Sequence, residues 1–143
     1  MQGQTLNPYQ KTSVTTALHW LEKALYAIEE TLAADRRGTL YRVSTQLSSE
    51  QMRVTRELIE AMRQEIATTA RELGLQAREE DGRRAIVAQL ASAWEGLEDA
   101  KSAKLVRYGA VDPSLKDSLD PHLDKLIALV LQLEHLVASG SLE

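Results

Sequence analysis

Apolar residues recur along most of this chain in alternating steps of three and four, the spacing of helices that each bury one face. The clearest stretch runs from Asp120 to Val137, where Leu123, Leu126, Val130, Leu133 and Val137 keep the alternation and Leu119 extends it upstream. Ile127, Ala128, Leu129, Leu131 and Leu136 widen the apolar surface beyond what one partner covers. Such a helix belongs at the centre of a bundle or at a subunit contact.

The same reading applied from the N-terminus predicts a first helix of about 27 residues. Asn7-Pro8 supplies an N-cap acceptor and a pre-set first position, and Val14, Leu18, Leu21, Leu25, Ile28 and Leu32 form the stripe. Ala17 and Ala24 beside it permit close approach, and Asp35-Arg36-Arg37-Gly38 is the turn, with Gly38 expected in the left-handed conformation that ends helices. A second helix is expected from Thr39 to Leu73, with Leu40, Val43, Leu47, Val54, Leu58, Met62, Ile66, Ala70 and Leu73 on its apolar face. Ser49 offers an alternative start at Glu50, which would leave Leu40 to Leu47 as a separate piece.

Gly74 reads as a C-cap, and Leu75, Glu79, Gly82, Ile86, Leu90, Ala93, Leu97, Ala100 and Lys104 keep one phase. That phase favours a continuous third helix ending at Tyr108-Gly109, over a loop at Glu80-Asp81-Gly82 with Asp81 capping a start near Arg83. Asp112-Pro113 and Asp120-Pro121 repeat a cap-then-proline signature, placing one short helical turn, Ser114 to Ser118, before the last helix. The expected fold is all-α: an antiparallel four-helix bundle with two long central helices of about 34 residues and a short extra turn before the fourth. Residues 1–139 form one domain in this reading, and Gly140-Ser141-Leu142-Glu143 resembles a cloning remnant.

Composition narrows the chemistry. With 143 residues, 43% apolar and 27% charged, the chain is of the globular class and long enough to bury roughly two-thirds of its unfolded surface. The absence of Cys removes disulfides, thiolate catalysis and Cys-ligated metal centres. A net charge of −4 creates no strong field and weighs against duplex nucleic acid as the main partner without excluding a local basic patch. The longest apolar run, Leu126 to Leu131, is too short to span a bilayer, and the segment before Pro8 has no signal-peptide pattern, so a cytoplasmic location and no membrane partner are expected.

The three histidines do not make a metal site. His19 stands three before Glu22, while His122 and His135 lie on the last helix, and neither Glu-x-x-His nor His-Glu-x-x-His occurs. Gly-x-Ser-x-Gly and phosphate-binding glycine patterns are absent too, so no catalytic residue, metal or cofactor is expected. Glu65, in phase with Leu58, is the one carboxylate that would graze the interior, against the plainer expectation that it leans out to solvent.

Two surface features remain. Lys101, Lys104 and Arg107 recur every third residue beside Tyr108, with Lys116 close if the short helix folds back. This ridge suits a phosphate or carboxylate partner, although cations in a helix's last turns are also favoured by the helix dipole alone. Trp20 and Trp94 each flank a stripe, either sealing alanine-lined gaps or serving as aromatic anchors of a contact. The expected function is therefore a non-catalytic interaction or assembly module that self-associates as a homodimer through Trp20, Trp94, Ile127, Leu131 and Leu136, with a second, unlike protein as a further partner. The rivals are a nucleic-acid accessory subunit using the basic ridge and a bundle enclosing a small apolar ligand.

Overall fold

Asn7 starts the first helix as its sequence context requires. In the computed structural model, which describes residues 5–139, the Asn7 side chain accepts from Gln10 N at 2.8 Å. The Gln10 side chain accepts from Asn7 N at 3.0 Å, so two amides with no intrahelical acceptor are satisfied reciprocally. The leader and cloning-remnant readings fall on residues 1–4 and 140–143, outside the described residues.

Helix α1 spans Pro8–Ala33 and ends as Ala34 turns extended. The segment expected to begin a second long helix is instead a small antiparallel hairpin of β1 (Arg36–Arg37) and β2 (Arg42–Val43), with Arg36 opposite Val43. Gly38 closes it by donating its N–H to Tyr41 O at 2.9 Å. Any Cβ at Gly38 would lie 2.9 Å from that carbonyl oxygen, so the glycine is needed for close approach and not, as its position after α1 suggested, for a left-handed φ.

Helix α2 (Ser49–Leu73) begins ten residues later than expected. Ser48 caps it: its hydroxyl accepts from Gln51 N at 3.1 Å while the Gln51 side chain accepts from Ser48 N at 2.9 Å. This start lies beside the alternative that Ser49 had offered, because two satisfied amides outweigh the apolar periodicity of Leu40, Val43 and Leu47. Gly74, at φ 67° and ψ 38°, ends α2 in the left-handed cap expected of it, its N–H directed to Ala70 O.

The continuous third helix does not form. Helix α3 spans Gly82–Asp99, with Asp81 accepting from Arg83 N at 3.0 Å. The cap places Gly82 at the helix start, avoiding about 1 kcal/mol for glycine in a helix interior. At its other end the chain leaves α3 for a four-residue helix, α4 (Ser102–Leu105), and a 3-10 turn, Val106–Tyr108. The expected short turn is present as α5 (Leu115–Ser118), followed by α6 (Asp120–Ser139).

The described residues are thus mostly helical with one two-stranded sheet. Its main helices have 26, 25, 18 and 20 residues, so the two long central helices predicted by phase are replaced by shorter, individually capped ones. The chain divides into two units, Met1–Arg78 and Glu79–Glu143. In the first, α1 and α2 pack antiparallel around Leu25, Ile59 and Ile66, with Leu18 and Leu32 at the edge. In the second, α3 packs against α6, where Leu123 and Ile127 are buried. None of the described helices is long and apolar enough to cross a membrane.

Candidate interaction surface

Each main helix pairing uses only part of the apolar surface available to it. On α6 the least exposed positions are Asp120, Leu123, Ile127, Val130, Glu134 and Val137, one stripe at steps of three and four. Leu126, Leu129, Leu133 and Leu136 form a second stripe at steps of three and four, and all four are 40–51% exposed. At about 100° per residue the two stripes lie roughly 100° apart around the helix, the angle at which a helix meets two neighbours.

The first unit repeats the arrangement. On α2, Met52, Thr55, Ile59 and Ile66 face inward, whereas Val54, Leu58 and Met62 form an exposed row about a quarter turn away. On α1, Leu18, Leu25 and Leu32 face inward, whereas Ala17, Leu21, Ala24 and Ile28 are exposed. The single stripe expected on α1 is therefore two adjacent stripes, with Leu21 and Ile28 on the uncovered one.

The split is accompanied by a polar link that periodicity does not register. Glu29 occupies an inward phase of α1 and takes two hydrogen bonds from the Arg63 guanidinium of α2, one at 2.7 Å from Nη1. Arg63 also lies 4.7 Å from the centre of the Tyr26 ring. The hydrogen bonds from Arg63 hold the Glu29 carboxyl below its ordinary value, and Glu29 in turn raises the Arg63 guanidinium. Such a forked pair fixes the register of α1 against α2. Its only sequence signal was two residues of opposite charge, Glu29 and Arg63, lying 34 positions apart.

The residues singled out from the sequence separate into distinct settings. Ile127 is 8% exposed and belongs to the interior of its own unit. Leu136 lies on the second stripe of α6, whereas Leu131 lies on the opposite flank of the buried one. Trp94 falls in phase with the half-buried Val87, Leu90 and Leu97 of α3, on the stripe that meets α6. Trp20 projects from the side of α1 away from α2, with Lys23 Nζ 5.0 Å from its ring centre. The two indoles therefore stand in different settings, 60% exposed at Trp20 and 36% at Trp94.

Lys101, Lys104 and Arg107 stand beside acids of their own unit. Lys101 Nζ lies 2.7 Å from Asp124 and 3.3 Å from Glu98. Lys104 and Arg107 both approach Asp99 Oδ1, at 3.4 and 3.5 Å. These residues do not end a long third helix as expected, because Lys101 and Ser102 turn the chain toward α6. Ser102 donates from N to Asp120 Oδ1 at 2.9 Å and from Oγ to Oδ2 at 2.7 Å. Lys116, on α5, adds to the positive potential at Asp120. Lys101 and Ser102 thus fasten α6 to the end of α3, while Lys104 and Arg107 share Asp99 of α3 itself.

The Ser102 donors hold the Asp120 carboxyl below the usual carboxylate value. A depressed folded-state pKa contributes stability at pH above the unfolded value of about 3.9, and that contribution is lost as pH falls through the folded value. Acidification below about pH 4 is therefore expected to free the α4–α6 junction. Exchange protection of the Ser102 amide should fall there, and Asp120→Asn should abolish that pH step.

The first unit carries two wide hollows open to solvent, of ≈ 540 Å³ beside Leu47, Met52 and Arg56 and ≈ 380 Å³ beside Lys11, Thr15 and Gln76, and a less open cleft of ≈ 190 Å³ lined by Leu18, His19, Glu22, Ile66, Ala70 and Arg78 among others. Arg78 forms part of its wall by donating to Thr16 Oγ1 at 2.7 Å and Thr12 O at 3.3 Å. Its volume is below the 300–1,000 Å³ typical of small-molecule sites. Glu65 is exposed and does not enter the interior. Among the described residues no group of three or more His, Cys, Asp or Glu side chains is placed to hold a metal ion. Comparison with family models, curated proteins and solved structures finds no match to this chain.

Proposed function

We propose that this chain is a non-catalytic helical interaction module that self-associates as a dimer by docking helix faces. The supporting observation is the second apolar stripe on α1, α2 and α6, left uncovered by the helix that pairs with each. Two-helix units bury too little to complete a core, and the stable solution is another layer of helices. In this reading a four-helix bundle forms when like units of two copies pack face to face. Apolar burial supplies affinity, and surrounding charged residues select register.

The basic ridge lends no comparable support to nucleic acid, since Lys101, Lys104 and Arg107 already face carboxylates. Sedimentation equilibrium at micromolar concentration is expected to give about twice the chain mass of 15.9 kDa. A strictly monomeric species would overturn the proposal.

A further inference from the structure

The geometry points to the Leu126, Leu129, Leu133 and Leu136 stripe of α6 as a two-fold seam on which α6 of a second copy packs antiparallel. This inference rests on the self-association reading and specifies its contact. The first support is the register of the stripe itself. When two copies run antiparallel about a centre at position 131, Leu126 meets Leu136 of the second copy and Leu129 meets Leu133 of the second copy. Every exposed leucine of the stripe then finds a leucine opposite, the isologous pairing a two-fold axis requires.

Charge selects the same direction. Lys125 borders the stripe on the side away from Leu123 and Ile127. A parallel pair would set Lys125 beside Lys125 of the second copy, two like charges at a newly dried contact. In the antiparallel register the two lysines stand about 18 Å apart along the axis, beyond the screening length of roughly 8 Å at physiological salt.

The area is of the right order. Four leucines with 40–51% of their surface free expose on the order of 350 Å² per copy, so burying both stripes removes about 700 Å² before any rim is counted. His122, Lys125 and Gln132 lie on or beside the stripe and are exposed. Their aliphatic parts bring a contact of this length toward the roughly 1,200 Å² at which stable interfaces begin. On the other flank, Val130 and Val137 continue into the contact with α3. The seam thus joins an existing core.

Because the chain has no native cysteine, single cysteines give an unambiguous test. Leu126→Cys and Leu136→Cys are prepared separately, then mixed and oxidised, with native mass recorded for wild type. The expected result is a disulfide between the two variants at least about tenfold more abundant than either self-link. Positions 126 and 136 of one helix are about 15 Å apart, whereas a disulfide needs Cα atoms within roughly 7 Å. Lys125→Cys carrying a nitroxide, a rim change that leaves the leucines intact, should place its two spins more than about 20 Å apart.

Self-links in excess of the mixed link, or spins within about 15 Å, would mean a parallel seam and overturn the inference. A wild-type dimer showing neither the mixed link nor the expected spin distance would place the contact elsewhere, with self-association intact. A monomeric wild type would remove the underlying reading as well. If the leucine variants lose helicity, the spin distance alone decides.

Discussion

Leu25→Ala is expected to destabilise the protein by about 2–5 kcal/mol, the range for deleting a fully buried leucine from a core that relaxes only partly. Leu25 is 1% exposed and packs with Ile59 and Ile66, and those three are the buried hydrophobic cluster of the first unit. Leu18 and Leu32, partly buried against the cluster, would have to shift to fill the void. Single domains are commonly stable by only about 5–15 kcal/mol, so the change removes a large fraction of that margin. The urea midpoint of the helical circular dichroism signal measures it. Ile28→Ala, three positions along but 43% exposed, is the comparison. At concentrations where the chain is monomeric it should shift stability by no more than about 0.5 kcal/mol. Equal losses at both positions would contradict the division of α1 into a covered and an uncovered stripe.

Ile127→Ala should have the second largest effect, about 2–4 kcal/mol at the second unit. Its 8% exposure contrasts with 44% at Leu131 and 40% at Leu136 on the same helix. Leu136→Ala is expected to leave the isolated chain's unfolding free energy within about 0.5 kcal/mol while weakening association, so its apparent stability should depend on protein concentration. Denaturant titrations at two concentrations spanning about a hundredfold distinguish the cases. A concentration-independent loss at Leu136 comparable to that at Ile127 would mean that its stripe is already part of the folded chain's interior.

These predictions depend on a distinction that periodicity blurs. Val14, Leu18, Leu21, Leu25, Ile28 and Leu32 obey one alternation of three and four, yet Leu25 is buried and Leu21 is 38% exposed. A helix with a broad apolar side satisfies several neighbouring phases at once. The partner decides among them: Arg63 holds Glu29, which brings that carboxylate's phase inward. The same ambiguity put Ile127, 8% exposed, and Leu136, 40% exposed, among the expected contact residues together.

Helix ends show the opposite balance. Asn7, Gly74 and the short turn before Asp120 were legible from residue type alone, and Ser49 and Asp81 marked where competing starts lay. Apolar phase favoured longer helices, but Ser48 with Gln51 and Asp81 with Arg83 satisfy backbone amides that a continued phase would not reward.

The amino-acid order alone determined that this is a predominantly helical, cysteine-free chain of modest negative charge, with more apolar helix surface than one partner covers. Those are properties of composition and local spacing. Which stripe each helix covers, that Lys101, Lys104 and Arg107 are matched to acids, and that residues 36–43 pair as a hairpin were decided only by tertiary structure. The physical reason is range: caps and periodicity act over three or four residues, whereas Glu29 meets Arg63 and Ser102 meets Asp120 across 34 and 18 positions.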